Sequence, residues 1–108
     1  MMVCSVAPVE NFEVRDVSPT KITLGWEHTE TLVKKYNIYR DNNGTKELIG
    51  SSTVNRFADT NNDNGFQIGD SYTYYVEAVD EMGVASQPKT VSATVEPVAK
   101  PKNFKVEN

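Results

Sequence analysis

The chain has 108 residues with 38% hydrophobic side chains and a formal net charge of −4 from 11 basic and 15 acidic residues. That size fits one domain, which buries roughly two thirds of the surface its unfolded chain exposes and needs no metal or disulfide to do so. The composition is not that of a disordered chain, no apolar run approaches the ~20 residues of a membrane-spanning helix, and the negative charge argues against nucleic acid or anionic lipid as a partner.

Residues 1–7 are expected to stand outside the domain, as a disordered or vector-derived leader. They hold the single cysteine, Cys4, which has no partner for an intramolecular disulfide. They lack the basic start and long apolar stretch of a secretory signal. From Val9 the sequence alternates with period two, and Phe12 and Val14 share a face. Ser18-Pro19-Thr20 marks a turn. Ile22, Leu24 and Trp26 then fall on one side of a strand and Lys21, Thr23 and Gly25 on the other, the clearest half-buried strand in the chain.

Lys35 to Arg40 predicts the next strand, with Tyr36 and Ile38 inward and Asn37 and Tyr39 outward. Asp41-Asn42-Asn43-Gly44 reverses the chain, because Asn and Gly accept the positive φ angles of tight turns. Short strands are expected around Leu48 and Ile49 and around Phe57. Asp59 to Gly69 reads as a polar loop, with Phe66 and Ile68 dropping back into the core on its far side. Ser71 to Val79 is the longest strand, placing Tyr72, Tyr74, Val76 and Ala78 on one face. Glu81-Met82-Gly83 turns the chain, and Thr90 to Val95 closes it. No segment carries a helical period with caps. Seven short strands separated by turn signals predict an all-β fold, a seven-stranded antiparallel β-sandwich of the immunoglobulin-like kind.

Two near-copies of one phrase lie 92 residues apart: Glu10-Asn11-Phe12-Glu13-Val14 and Lys102-Asn103-Phe104-Lys105-Val106. That offset is about one small β-domain. Residues 8–95 are therefore expected to form one repeat, and residues 96–108 a proline-bearing linker with the first strand of a following repeat.

Together the residues resemble the fibronectin type III family. The resemblance rests on Pro8, Ile22-Thr23-Leu24-Gly25-Trp26, Tyr36-Asn37-Ile38-Tyr39-Arg40-Asp41, Phe57-Ala58-Asp59-Thr60, the run Gly69 to Asp80, and Gly83 with Ser86. It implies that Trp26 fills the centre between two sheets. It also implies that Tyr72 is a corner tyrosine with a buried ring and a hydroxyl bonded to backbone across the preceding loop, and that Ile68 packs beneath that corner. With Tyr36, these form the expected structural core. The phrasing is similar to bacterial members, which occur in secreted multi-modular enzymes acting on polysaccharide and in surface adhesins. The Arg-Gly-Asp triplet of animal adhesion members is absent from Asp80 to Ala85.

Chemistry is sparse. His28, the only histidine, has no cysteine or second histidine to work with and reads as a solvated loop residue. Asp59-x-Asn61-x-Asp63 resembles the start of a calcium loop, but Asn64 holds the glycine position and Asp70 replaces the bidentate glutamate, so it reads as a polar connection. No catalytic, cofactor-binding or metal residue is expected, and no cofactor. Tyr39 and Tyr75 point outward on strands the family places side by side, a candidate ligand contact whose simpler reading is cross-strand pairing. The expected function is a non-catalytic spacer or scaffold in a secreted bacterial protein, with a glycoside hydrolase or other carbohydrate-active enzyme as the parent. The alternative is an adhesion or binding module contacting glycan or protein through Tyr39, Tyr75 and the 80–84 loop. The expected partners are neighbouring modules of the same chain, with no nucleic acid and no membrane insertion; the expected state is monomeric and extracellular.

Overall fold

The structure, a computed structural model, describes residues 6–28 and 33–96. Cys4, residues 97–100 and the second copy of the opening phrase lie outside the described residues. Every regular element among them is a strand: β1 Glu10–Val17, β2 Ile22–Glu27, β3 Val33–Asn42, β4 Thr45–Ser52, β5 Arg56–Asp59, β6 Ser71–Asp80 and β7 Lys89–Thr94. They form two antiparallel sheets, one ordered β1-β2-β5 and the other β4-β3-β6-β7.

The core is what the alternation demands. Ile22, Leu24 and Trp26 from β2 meet Tyr36 and Ile38 from β3 and Tyr74, Val76 and Ala78 from β6, all buried. Trp26 lies edge-on to Phe12 at 6.0 Å and to Tyr36 at 5.3 Å between ring centres. These edge-to-face geometries suit the ring quadrupoles. The indole Nε1 is buried and has no hydrogen-bond partner among the described residues.

Asn43 and Gly44 both have positive φ, 55° and 88°, and make the two-residue hairpin between β3 and β4. Leu48, expected to centre its strand, is instead 56% exposed. A bulge at Ile38/Tyr39 sets Leu48 opposite the outward Tyr39 and leaves Ile49 without a direct partner, half-buried against the core. Val54 lies ahead of β5 and is exposed.

The two ends of the domain face opposite ways. Glu10, at the start of β1, pairs with Glu27 at the end of β2, and Val33 at the start of β3 pairs with Asp80 at the end of β6. Thr94, at the end of β7, pairs with Ser71 at the start of β6. The chain therefore enters beside the β2–β3 connection and the β6–β7 loop, and leaves beside the β5–β6 loop. There Gly69 N–H donates to the Val95 carbonyl at 2.8 Å and Val95 N–H donates to the Asp70 carbonyl at 3.0 Å.

Trp26 is the largest fully buried side chain. Trp26→Ala should cost about 3–5 kcal/mol, a large share of the ~5–15 kcal/mol that holds a domain together. Urea unfolding followed by circular dichroism measures this. A loss below about 1 kcal/mol would contradict its central packing.

Candidate functional site

The best-built polar constellation joins the two sheets. Asp59, at the end of β5, is 5% exposed. Arg40 Nη1 donates to its Oδ2 at 2.6 Å, and the Tyr74 hydroxyl donates to the same oxygen at 2.7 Å. The backbone N–H of Asn61 donates to Oδ1 at 2.9 Å. Arg40 Nη2 reaches Asn61 Oδ1 at 3.0 Å, and Asn61 Nδ2 donates to the Gly65 carbonyl at 2.8 Å. A carboxylate from the three-stranded sheet is thus held by two side chains of the four-stranded one, and each of its oxygens accepts at least one bond.

Burial, the hydrogen bond to Asp59 and the Asp59 charge push the Tyr74 hydroxyl far above the ordinary tyrosine value, against a smaller pull from Arg40. Burial works against the Arg40 charge, yet the Asp59 carboxylate outweighs it and the guanidinium is held more firmly protonated. This constellation has no nucleophile or free base. It is a structural lock, a role for Asp59 that the sequence pattern does not announce.

The first carboxylate of the polar loop that starts at Asp59 is turned inward to Arg40 and Tyr74 and is not presented as the first ligand of a calcium loop. Asn61, Asn62 and Asp63 take successive positive φ angles of 55°, 56° and 66°. Asn and Asp are the side-chain-bearing residues that best tolerate this left-handed turn. Among the described residues no three of His, Cys, Asp and Glu come together as metal ligands.

The corner at Tyr72 differs from the expectation in two respects: the ring is half-buried rather than buried, and Phe66 takes the place expected of Ile68. The Tyr72 hydroxyl accepts the Gln67 N–H at 3.0 Å, and the ring is half-buried. Phe66, not Ile68, packs there, edge-on to the Tyr72 ring at 4.9 Å. Phe66 N–H donates to the Pro19 carbonyl at 2.8 Å, which directs that ring inward. Ile68, two residues further along a loop already tied at Gln67, is 53% exposed.

Tyr39 and Tyr75 do lie directly opposite each other on β3 and β6. Neither ring is an open platform. Both are half-buried, and Lys46 Nζ stands 4.8 Å from the Tyr39 ring centre and 5.4 Å from that of Tyr75. Such contacts are worth ~0.5–1 kcal/mol at exposed sites. The Tyr39 hydroxyl donates to Glu77 Oε1 at 2.8 Å, and burial followed by that carboxylate raises its pKa.

The β6–β7 loop is braced from within. Asp80 Oδ1 accepts the N–H groups of Met82 and Val84, each at 2.9 Å, and presents Met82 with 84% of its surface exposed. His28, read from sequence as solvated, is half-buried and bonded on both nitrogens. Its Nε2 donates to the Ala7 carbonyl at 2.7 Å, which requires the Nε2–H form, and Nδ1 lies 3.2 Å from the Tyr36 hydroxyl. It fastens the incoming segment to β3. A recess of about 410 Å³ on the three-stranded sheet is lined by Arg15, Thr23, Trp26, Asn55 and Arg56. It contains no acid–base pair.

The sequence matches the fibronectin type III domain family over residues 7–95, and the chain belongs to that family. A solved structure described as FN3tt mut is 27% identical, with a TM-score of 0.71 over 84% of this chain and 96% of its own. A β-1,2-glucanase from Parabacteroides distasonis is 26% identical, with a TM-score of 0.67 over 92% of this chain, which spans only 14% of that enzyme. The twitchin kinase region of C. elegans, 15% identical with a TM-score of 0.74, covers 96% of this chain and shows the fold alone; this chain spans 19% of it. No curated protein matches the chain in sequence.

Asp59→Ala should cost about 3–5 kcal/mol, because it leaves the part-buried Arg40 guanidinium without its carboxylate and the buried Tyr74 hydroxyl without its acceptor. Chemical unfolding checks this, and a near-neutral result would contradict the lock. Tyr74 ionises near pH 10 in the unfolded chain and only well above that in the folded one. Its neutral form is the folded form, so its contribution is complete below pH 10 and is lost as pH climbs beyond it. Ultraviolet titration should show the Tyr74 phenolate only together with unfolding, and Tyr74→Phe should remove that late step. A Tyr74 phenolate near pH 10 in the folded chain would overturn the assignment.

Proposed function

We propose that this chain is a non-catalytic spacer module within a secreted, multi-modular bacterial protein acting on carbohydrate. One observation carries the reading: the chain enters and leaves at opposite ends of a sandwich whose polar chemistry is spent on its own cohesion. A body built this way sets the separation of whatever it joins. It thereby fixes the effective concentration of a binding module near its catalytic neighbour. The carbohydrate-active parent and the extracellular location are supported by the similarity to part of the Parabacteroides distasonis glucanase and by the phrasing of β3 and β6. The neighbouring modules of the same chain are the proposed partners, and the module itself is proposed to be a monomer.

A second reading has its own support. The Asp80-braced loop presents Met82 on a fixed backbone, as a contact surface for protein or glycan would. In that reading Tyr39 and Tyr75 join the contact only where a ligand displaces Lys46.

Replacing the module in its parent by a Gly/Ser segment of equal residue count separates the two. As a spacer, its loss should lower activity on insoluble polysaccharide several-fold and leave soluble substrate untouched. Equal activity on both substrates would contradict the spacer reading. Titrating glycans against the chain should leave the Tyr39 and Tyr75 resonances unmoved; saturable shifts there would favour the binding reading.

A further inference from the structure

The repeat reaches further back than the phrase around Phe12. Val6-Ala7 precedes the first copy as Val98-Ala99 precedes the second, at the same offset of 92 residues. Val6 and Val9 are both core residues here, 8% and 0% exposed. At the same offset Val98 stands where Val6 stands. Val95 belongs to the core of this module, at 1% exposed. Only Glu96 and Pro97 separate Val95 from Val98. Three residue steps span at most about 11 Å, and Pro97 holds Glu96 to extended geometry.

The end where this module lets go of the chain is built to meet something. Gln67, Ile68, Gly69 and Asp70 are all exposed, in a stretch tied down by Tyr72, Val95 and the turn bond from Asp70 N–H to the Gln67 carbonyl at 3.2 Å. Ile68, 53% exposed, is thus an apolar side chain on a held backbone beside the exit. The same β5–β6 loop carries two exposed carboxylates, Asp63 and Asp70, and Glu96 follows. Opposite in sign, the second copy has Lys102 and Lys105 where the first has Glu10 and Glu13, and Lys100 where the first has Pro8. Positions 10 and 13 are exposed on β1 of this module, near its incoming end. The register therefore puts the lysines near the incoming end of the next one.

We propose that the β5–β6 end of this module, Ile68 flanked by Asp63 and Asp70, is the seat of the following module of the same chain, whose lysine-bearing opening segment docks across the Glu96–Pro97 joint. The pair would then move as one rod rather than as beads on a flexible string. This rests on the reading of residues 98–108 as the start of a second module, which sequence beyond Asn108 decides by itself: a continuation without a second sandwich removes that reading and the docking with it.

The test uses the chain carrying both modules. Residual dipolar couplings should give the two modules one shared alignment tensor at low salt. Ile68→Ser should leave both modules folded, with unchanged melting and amide spectra within each, and should split the tensor into two. Asp70→Lys should do the same, and raising salt from 0.05 to 0.5 M should weaken the alignment of the wild type, as screened charges require. Two unrelated tensors in the wild type, with a second sandwich present, would overturn the docking alone. So would a shared tensor that survives both substitutions.

Discussion

A single buried carboxylate holds the architecture to one arrangement. Asp59 ends the shortest strand of the small sheet, and its partners Arg40 and Tyr74 stand on the two central strands of the large one. Hydrophobic faces alone leave two sheets free to slide, since burial is non-directional. A charge-assisted bond is directional, and removing one of its partners leaves an unpaired group in a dry place. The sheets must therefore meet in the register that satisfies Asp59. Asn61 extends the constraint into the β5–β6 loop by bonding both Asp59 and the Gly65 carbonyl. The loop's three left-handed residues are held by the same bonds that lock the sandwich.

That internal use of polar groups shapes what is left for function. The ionisable residues that reach the interior are committed to each other, and the aromatic pair on the outer face is covered by Lys46. Large apolar side chains stay outward at both ends, Met82 where the chain comes in and Ile68 where it goes out, with Leu48 on the flank between them. A module with apolar side chains at both ends suits serial attachment. It agrees with the way family members appear as parts of much longer chains, such as the glucanase and twitchin structures.

Much of the fold was legible because period-two alternation is strong where both neighbours of a strand are present. Ile22, Leu24 and Trp26, and Tyr74, Val76 and Ala78, announce their faces without ambiguity. Legibility fails where the periodicity is broken or too short. The bulge at Ile38/Tyr39 shifts β4 by one residue and turns Leu48 outward, and nothing in the local composition marks it. β5 has four residues, too few for alternation to reveal that its terminal aspartate points in. An inward Arg40, continuing the Tyr36 and Ile38 face of β3, was the available signal that a buried acid had to exist across from it. Ile68 is exposed because the bond between Phe66 N–H and the Pro19 carbonyl holds the chain so that the Phe66 side chain, not Ile68, turns inward. His28 was misread because the carbonyl that fixes it lies 21 residues away in sequence.

Native-state hydrogen exchange measures whether the sheets open as one body. Leu24 in the small sheet and Val76 in the large one should exchange with the same free energy, and both should fall by the same amount in Tyr74→Phe. Separate opening energies in the unmodified chain, or a loss confined to one sheet in the variant, would contradict a sandwich locked through Asp59.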